Sequence, residues 1–178
     1  MSSFINRIIR SACLDIAIYE EIEADREAMG QAIFIVVLSS LAAGIGIVDR
    51  AGLQGILIGT FSAIIGWYIW AWLTYIIGTK LLPEPQTKAD LGELLRTTGF
   101  SSSPGLIRFA GIFLGVKLAG IVFMISSVWM LLAMIVAVRQ ALDYRSTIRA
   151  VSVCIIGWII QSLLQTILFF ILLDLIRR

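Results

Sequence analysis

Polar side chains set inside apolar text are where chemistry would have to reside in this chain. Gln161, Ser162, Gln165 and Thr166 interrupt the last long apolar run, the two glutamines one helical turn apart on one face. Amides and hydroxyls so placed bond one helix to another, at about 0.6 kcal/mol each in a membrane, or meet a partner subunit or a polar headgroup. Arg108 and Lys117 bracket eight uncharged residues. Such cations end a short span by extending toward opposite surfaces. Trp67, Tyr68, Trp70, Trp72 and Tyr75 crowd one stretch. Rings at a span end anchor at the headgroups, and a quinone or pigment could also stack there. Ser126 and Ser127 have the simpler role of bonding to carbonyls of their own helix.

Much other chemistry is ruled out by composition. The chain has no histidine, which excludes histidine-ligated haem, chlorophyll or zinc and Ser-His or Cys-His catalysis from its own residues. Gly78-Thr79-Lys80 lacks the upstream glycine of a phosphate loop, and Gly-x-Ser-x-Gly is absent. Cys13 and Cys154 stand apart and suggest neither a disulfide framework nor a CxxC site. The arginines sit singly at span ends rather than in a basic stripe, so nucleic acid is not an expected partner. A carrier would keep charges or broken helices at the midplane of paired repeats. The expectation is a non-enzymatic protein with no catalytic, metal or cofactor residues, able to hold a lipid or quinone.

The elements that must position these residues are apolar helices. With 178 residues, 59% of them hydrophobic, and a mean hydropathy of +0.95, the chain is too apolar for a soluble domain. The fold class is all-α and polytopic, with five transmembrane helices at about 31–48, 55–79, 104–117, 121–138 and 150–173. The segment 104–117 is short, and a re-entrant course is the competing reading. Gly55, Gly59 and Ala63, and again Gly111, Gly115 and Ala119, repeat small residues every four positions, as helix-packing seams do.

Residues 1–30 form a separate cytoplasmic or interfacial region ahead of the membrane domain at 31–176. Ile5, Ile8, Ile9, Ala12, Ile16 and Tyr19 share a helical face. The helix they predict either lies in the interface, with Arg7 and Arg10 on lipid phosphates, or packs across the cytoplasmic span ends. The acidic run from Glu20 to Glu27 is a solvated helix end or a surface for a basic partner. No compact apolar leader precedes the first span, so that span is expected to remain in the mature protein. Pro83 and Pro85 stop the second span, and residues 90–98 read as a short helix on the membrane surface.

With five spans and the amino end inside, ten basic residues are cytoplasmic, namely Arg7, Arg10, Arg26, Lys80, Lys88, Arg96, Arg108, Arg139, Arg145 and Arg149. Four, Arg50, Lys117, Arg177 and Arg178, lie on the far side, a positive-inside bias. Arg7, Arg10, Trp67, Trp70, Trp72, Arg108, Lys117, Arg139, Arg145 and Arg149 are the candidate interfacial anchors, with Asp143 placed to neutralise Arg139.

The run Gly99-Phe100-Ser101-Ser102-Ser103-Pro104 resembles the Gly-Tyr-x-x-x-Pro element that opens the third span of the Yip1 family, with Phe100 for tyrosine. The resemblance covers about residues 30 to 176 and implies five spans with the amino end inside. In eukaryotic members it implies a trafficking or membrane-shaping factor that binds small GTPases. The family's Asp-Leu-Tyr-Gly-Pro signature is absent here, which points to a bacterial member in a cytoplasmic membrane. The leading expectation is an accessory or stabilising subunit of a larger membrane complex, respiratory or photosynthetic, packed against other integral subunits and lipid. The GTPase-binding role and a small channel or transporter are the alternatives.

Overall fold

The computed structural model describes residues 2–45 and 48–177, without the side chains of 45, 48–51, 112, 115–117 and 168–177. Every regular element among them is helical: α1 (Phe4–Ala12), α2 (Ile16–Ala24), α3 (Ala28–Ile45), α4 (Val48–Ile76), α5 (Leu91–Phe100), α6 (Gly111–Ala141) and α7 (Thr147–Arg177). Local chemistry sets the boundaries. The Ser3 and Asp15 side chains cap α1 and α2 by accepting from Asn6 and Ala17 N–H. Asp90 and Glu93 form a reciprocal capping box on α5. Within α4, Gly52 departs from helical geometry at φ 61° and ψ −176°, a left-handed φ that glycine accepts without a Cβ clash. The apolar helix runs on from Gly52 to Leu81, its last turn widened to a π-helix at Ile77–Leu81.

Three helical segments, Gly52–Leu81, Leu118–Ala141 and Thr147–Ile167, are long and apolar enough to cross a membrane, and Ala28–Gly44 is a shorter apolar helix. Contacts give their directions. A Cβ on Gly44 would touch Ile56 and one on Gly99 would touch Ala32. Trp67 Nε1 donates to Thr98 and Trp70 Nε1 to the Met134 sulfur, while Gly157 lies against Trp70. Successive rods therefore alternate in direction, from α3 through α4, a composite third rod and α6 to α7.

The composite rod corrects two sequence expectations. It begins at Leu91 rather than near 104, because α5 lies in the centre of the molecule and not on a surface. Every residue from Leu94 to Phe100 is buried, and α2, α3, α4 and α6 all pack against α5. After Phe100 the chain continues as a 3-10 helix, Ser103–Ala110. At about 1.5 and 2.0 Å per residue the two pieces together reach about 31 Å, comparable to a bilayer's hydrocarbon core. The second correction concerns the seam at Gly111, Gly115 and Ala119. A Cβ on Gly111 would lie 3.3 Å from that of Ala119, whereas eight residues of straight helix rise about 12 Å. The chain doubles back inside the run Gly111–Ala141, so these two residues oppose each other across a hairpin. Gly115 and the Lys117 side chain lie outside the described residues.

The amino-terminal pair α1–α2 does not stand alone. Ser11 Oγ is 3.0 Å from Ser103 Oγ, Trp129 Nε1 donates to Ala12 O at 2.7 Å, and Gln140 donates to Glu20. Arg96 donates to the Ile22 and Glu23 carbonyls, closing the end of α2. Arg7 is only 1% exposed and pairs with Glu21 at 2.9 Å and Asp25 at 2.7 Å. Its guanidinium is thus withdrawn from lipid phosphates, and part of the acidic run serves as its counter-ion. Ile5 and Ile9 instead face outward, 69% and 58% exposed, while Phe4 and Ile8 pack against the core beside the buried Arg7 and Ser11.

Two outcomes follow from this packing. Gly99→Leu should place a side chain against the α3 backbone, since a Cβ already comes within 2.7 Å of Ala32 Cβ and 3.2 Å of its Cα. A loss of about 1–3 kcal/mol, read as a lower melting temperature in detergent, is expected, with no loss for Gly30→Ala, which meets open space. Burial beside Glu93, Asp143 and Glu20 pushes the Glu23 carboxyl up to about 7, opposed by Arg96, from an ordinary value near 4.5. Between those values the folded protein holds a proton that the unfolded chain has released, so stability falls as pH rises through the window. Melting from about pH 5 to pH 8 should show this decline, and Glu23→Gln should flatten it.

Candidate lipid-binding cleft

A cleft of about 540 Å³ opens among the rods, walled by α3, α4, the 3-10 segment, α6 and Gln161 of α7. Its size falls in the range of about 300–1,000 Å³ typical of small-molecule sites. One wall is the α4 stripe Gly55, Gly59, Ala63 and Gly66. The sequence reading takes the first three as a helix-packing seam. A Cβ on Gly59 would meet nothing within 4 Å, and one on Gly66 only Gln161 Nε2 at 3.8 Å. At Gly59 and Gly66 the missing side chain therefore leaves space rather than closing a helix contact. The close approaches are made at other glycines, Gly44 to Ile56, Gly99 to Ala32 and Gly105 to Ser39 and Met130.

The aromatic end of α4 splits between two environments. Trp67 and Trp70 turn inward to Thr98 and Met134 and line the cleft, while Trp72 is exposed. The first two are thereby removed from the anchors expected at the headgroups. Their indole N–H groups are satisfied within the protein, leaving their rings as apolar wall.

Arg108 stands at the cleft's cationic point. Its Nε donates to Ser126 Oγ at 2.7 Å and its Nη2 to Ser127 Oγ at 2.9 Å, and its guanidinium carbon lies 4.3 Å from the Phe123 ring centroid. Both hydroxyls in turn donate to Phe123 O. The expectation that Ser126 and Ser127 bond to local carbonyls is met, but their second task could not be read from spacing. It arises only because the hairpin brings residue 108 beside residue 126. A guanidinium has five N–H donors, so this pair of bonds leaves three uncommitted among the described groups. No described carboxylate lies within ion-pair distance of it.

The polar residues of α7 do not act as one face. Gln161 points into the cleft, where its Oε1 is buried without a donor among the described residues. Ser162 is half-buried, and its carbonyl accepts from Thr166. Gln165 and Thr166 are exposed on the outer part of the helix. The remaining arginines fasten loops. Arg10 pairs with Asp15 at 2.7 Å. Arg139 donates to the Tyr144 and Arg145 carbonyls rather than pairing with Asp143. Arg149 reaches Pro83 O and Glu84, and the Arg145 N–H donates to Glu84. Among the described residues no cluster of metal-ligating side chains occurs.

The run from Gly99 to Pro104 is the joint of the third rod. Gly99 admits the α3 backbone, Phe100 is fully buried against α2 and α3, and Pro104 opens the 3-10 segment. A family model described as the Yip1 domain matches residues 17–171. The chain belongs to the Yip1 family. No curated protein and no solved structure matches it. The Yip1 domain thus takes in the whole cleft and the joint, while α1 precedes it and packs onto it through Ser11 and Ser103. Family membership and the three long apolar helices make this an integral membrane protein.

Removing the clasp on Arg108 should be costly. Hydrogen bonds to a charged group contribute about 1.5–3 kcal/mol in water, and bonds between membrane helices average less. Ser126→Ala combined with Ser127→Ala should cost about 1–3 kcal/mol on that basis, seen as a fall in detergent melting temperature larger than that of Ser152→Ala, whose hydroxyl bonds only to its own helix.

Proposed function

We propose that this Yip1-family protein is non-enzymatic and works by binding, enclosing a membrane amphiphile in its cleft while its outer helix faces pack against other integral membrane subunits. The α4 stripe carries this reading. Four small residues at helical spacing open a volume among helices long and apolar enough to cross a membrane. Apolar rings and methionines wall it, and a few polar groups converge on it, the usual make-up of a ligand pocket.

In this reading the chain crosses a bacterial cytoplasmic membrane five times, with the α5 and 3-10 pair as the third pass and the amino end in the cytoplasm. The five alternating rods support that course, and with Arg108 near the far end of the third pass the basic residues still divide nine toward the cytoplasm (Arg7, Arg10, Arg26, Lys80, Lys88, Arg96, Arg139, Arg145 and Arg149) against five. A role as an accessory subunit fits Gln165 and Thr166, polar side chains exposed on α7 where a neighbouring helix could bond to them.

Filling the cleft tests the proposal. Gly59→Leu with Ala63→Leu should leave the helical circular dichroism unchanged. It should lower the amount of co-purified lipid or quinone, measured by mass spectrometry after gentle solubilisation, by about tenfold, equivalent to 1.4 kcal/mol of affinity. Equal recovery from both proteins would refute the reading.

A further inference from the structure

We propose that the ligand of the cleft is an anionic amphiphile, its carboxylate or phosphate head held by Arg108 and its chain laid between the α4 stripe and the rings of Trp67 and Trp70. This rests on the reading that the cleft encloses an amphiphile. It adds the sign and position of the charge.

Three observations converge on it. The first is a contrast between Arg108, half-buried at the cleft, and the fully buried arginines, of which Arg96 is closed off by the Ile22 and Glu23 carbonyls. Arg7, buried beside α2, has the Glu21 and Asp25 carboxylates within 3 Å. Arg108 has neutral oxygens from Ser126 and Ser127 and the face of Phe123. A cation in apolar surroundings with no counter-ion is costly, and an incoming anion relieves that cost. The second is geometry. The two serines hold Nε and Nη2, fixing the plane of the guanidinium and leaving N–H donors in the fork that suits a carboxylate or phosphate bidentately. The third is the shape of the rest of the site. Beyond Arg108 the lining is mainly glycine, alanine, aliphatic, aromatic and methionine side chains, with Ser39, Ser40, Ser102 and Gln161 as its polar groups, a mostly apolar wall matched to a hydrocarbon chain rather than to a free inorganic anion. Gln161 Oε1, buried without a donor among the described residues, gives the same cleft an acceptor for a ligand hydroxyl.

The whole protein, stripped of lipid in a non-ionic detergent, would be titrated with oleate, dioleoyl phosphatidate and dioleoyl phosphatidylcholine. Bound adducts would be counted by native mass spectrometry. The expected result is at least tenfold tighter binding of one or both acids than of phosphatidylcholine. Arg108→Gln should bring all three within about twofold while the neutral lipid is still held, and Arg108→Lys should keep part of the preference. Tighter oleate points to a carboxylate source and tighter phosphatidate to a phosphate source; either supports the assignment. Equal binding of all three by the natural protein overturns it and needs no variant to fold. So does a preference that survives in Arg108→Gln. In both cases the amphiphile-binding cleft itself stands. Adducts that persist undiminished in Gly59→Leu with Ala63→Leu, or an absence of adducts altogether, would instead overturn the cleft.

Discussion

Backbone that leaves the α-helix at membrane depth survives only inside protein, because hydrocarbon offers nothing to satisfy the released groups. The joint of the third rod leaves the α-helix, and the surrounding architecture encloses it in protein. Between Phe100 and Ser103 the chain passes from α to 3-10 geometry, and Pro104 brings no N–H of its own. The Ser101 hydroxyl returns to Thr98 O, the Ser102 N–H to Gly99 O and the Gly105 N–H to Ser102 O. Four helices close around α5, and α1 supplies the Ser11 hydroxyl opposite Ser103. The glycines at 99 and 105 let α3 and α6 come close enough to do so.

That enclosure also explains where space is left. The 3-10 segment is narrower than the α-helix it continues, and α4 passes it with small residues rather than long ones. The shortfall in volume becomes the cleft. Arg108 lies at its edge because the hairpin after Ala110 returns the chain beside the segment, setting Ser126 and Ser127 within reach of its side chain. Joint, cleft and cation thus adjoin one another along the 3-10 segment and the hairpin that follows it.

The long rods were legible because length and hydropathy decide them. Expected limits of 55–79 and 121–138 sit inside Gly52–Leu81 and Leu118–Ala141, and the Gly99, Phe100 and Pro104 spacing was enough to identify the family. The third rod was not legible in the same way. Its α5 carries Glu93, Arg96, Thr97 and Thr98, a composition that reads as surface. Those threonines are silenced by bonds to their own helix, and Arg96 by carbonyls of α2 seventy-odd residues away. The site failed for a related reason. Small residues at spacing four signal close packing and open space equally, and only the position of the opposing helix separates them. Trp67 and Trp70 likewise look like interfacial rings until Thr98 and Met134 are placed opposite them.

The mixed character of the third rod bears on how the molecule is made. A segment entering the bilayer through the insertion machinery is judged largely on its own hydropathy, and a charged residue at its centre costs about 2.5–3.5 kcal/mol. Glu93, Arg96 and Arg108 all fall within the α5 and 3-10 pair, so this rod is a poor candidate for independent entry. The apolar helix Leu118–Ala141 follows it directly through a tight hairpin and carries no comparable burden. On the proposed five-pass course the third rod would enter together with α6, and its polar partners on α1 and α2, Ser11 for Ser103 and the Ile22 and Glu23 carbonyls for Arg96, precede it in the chain.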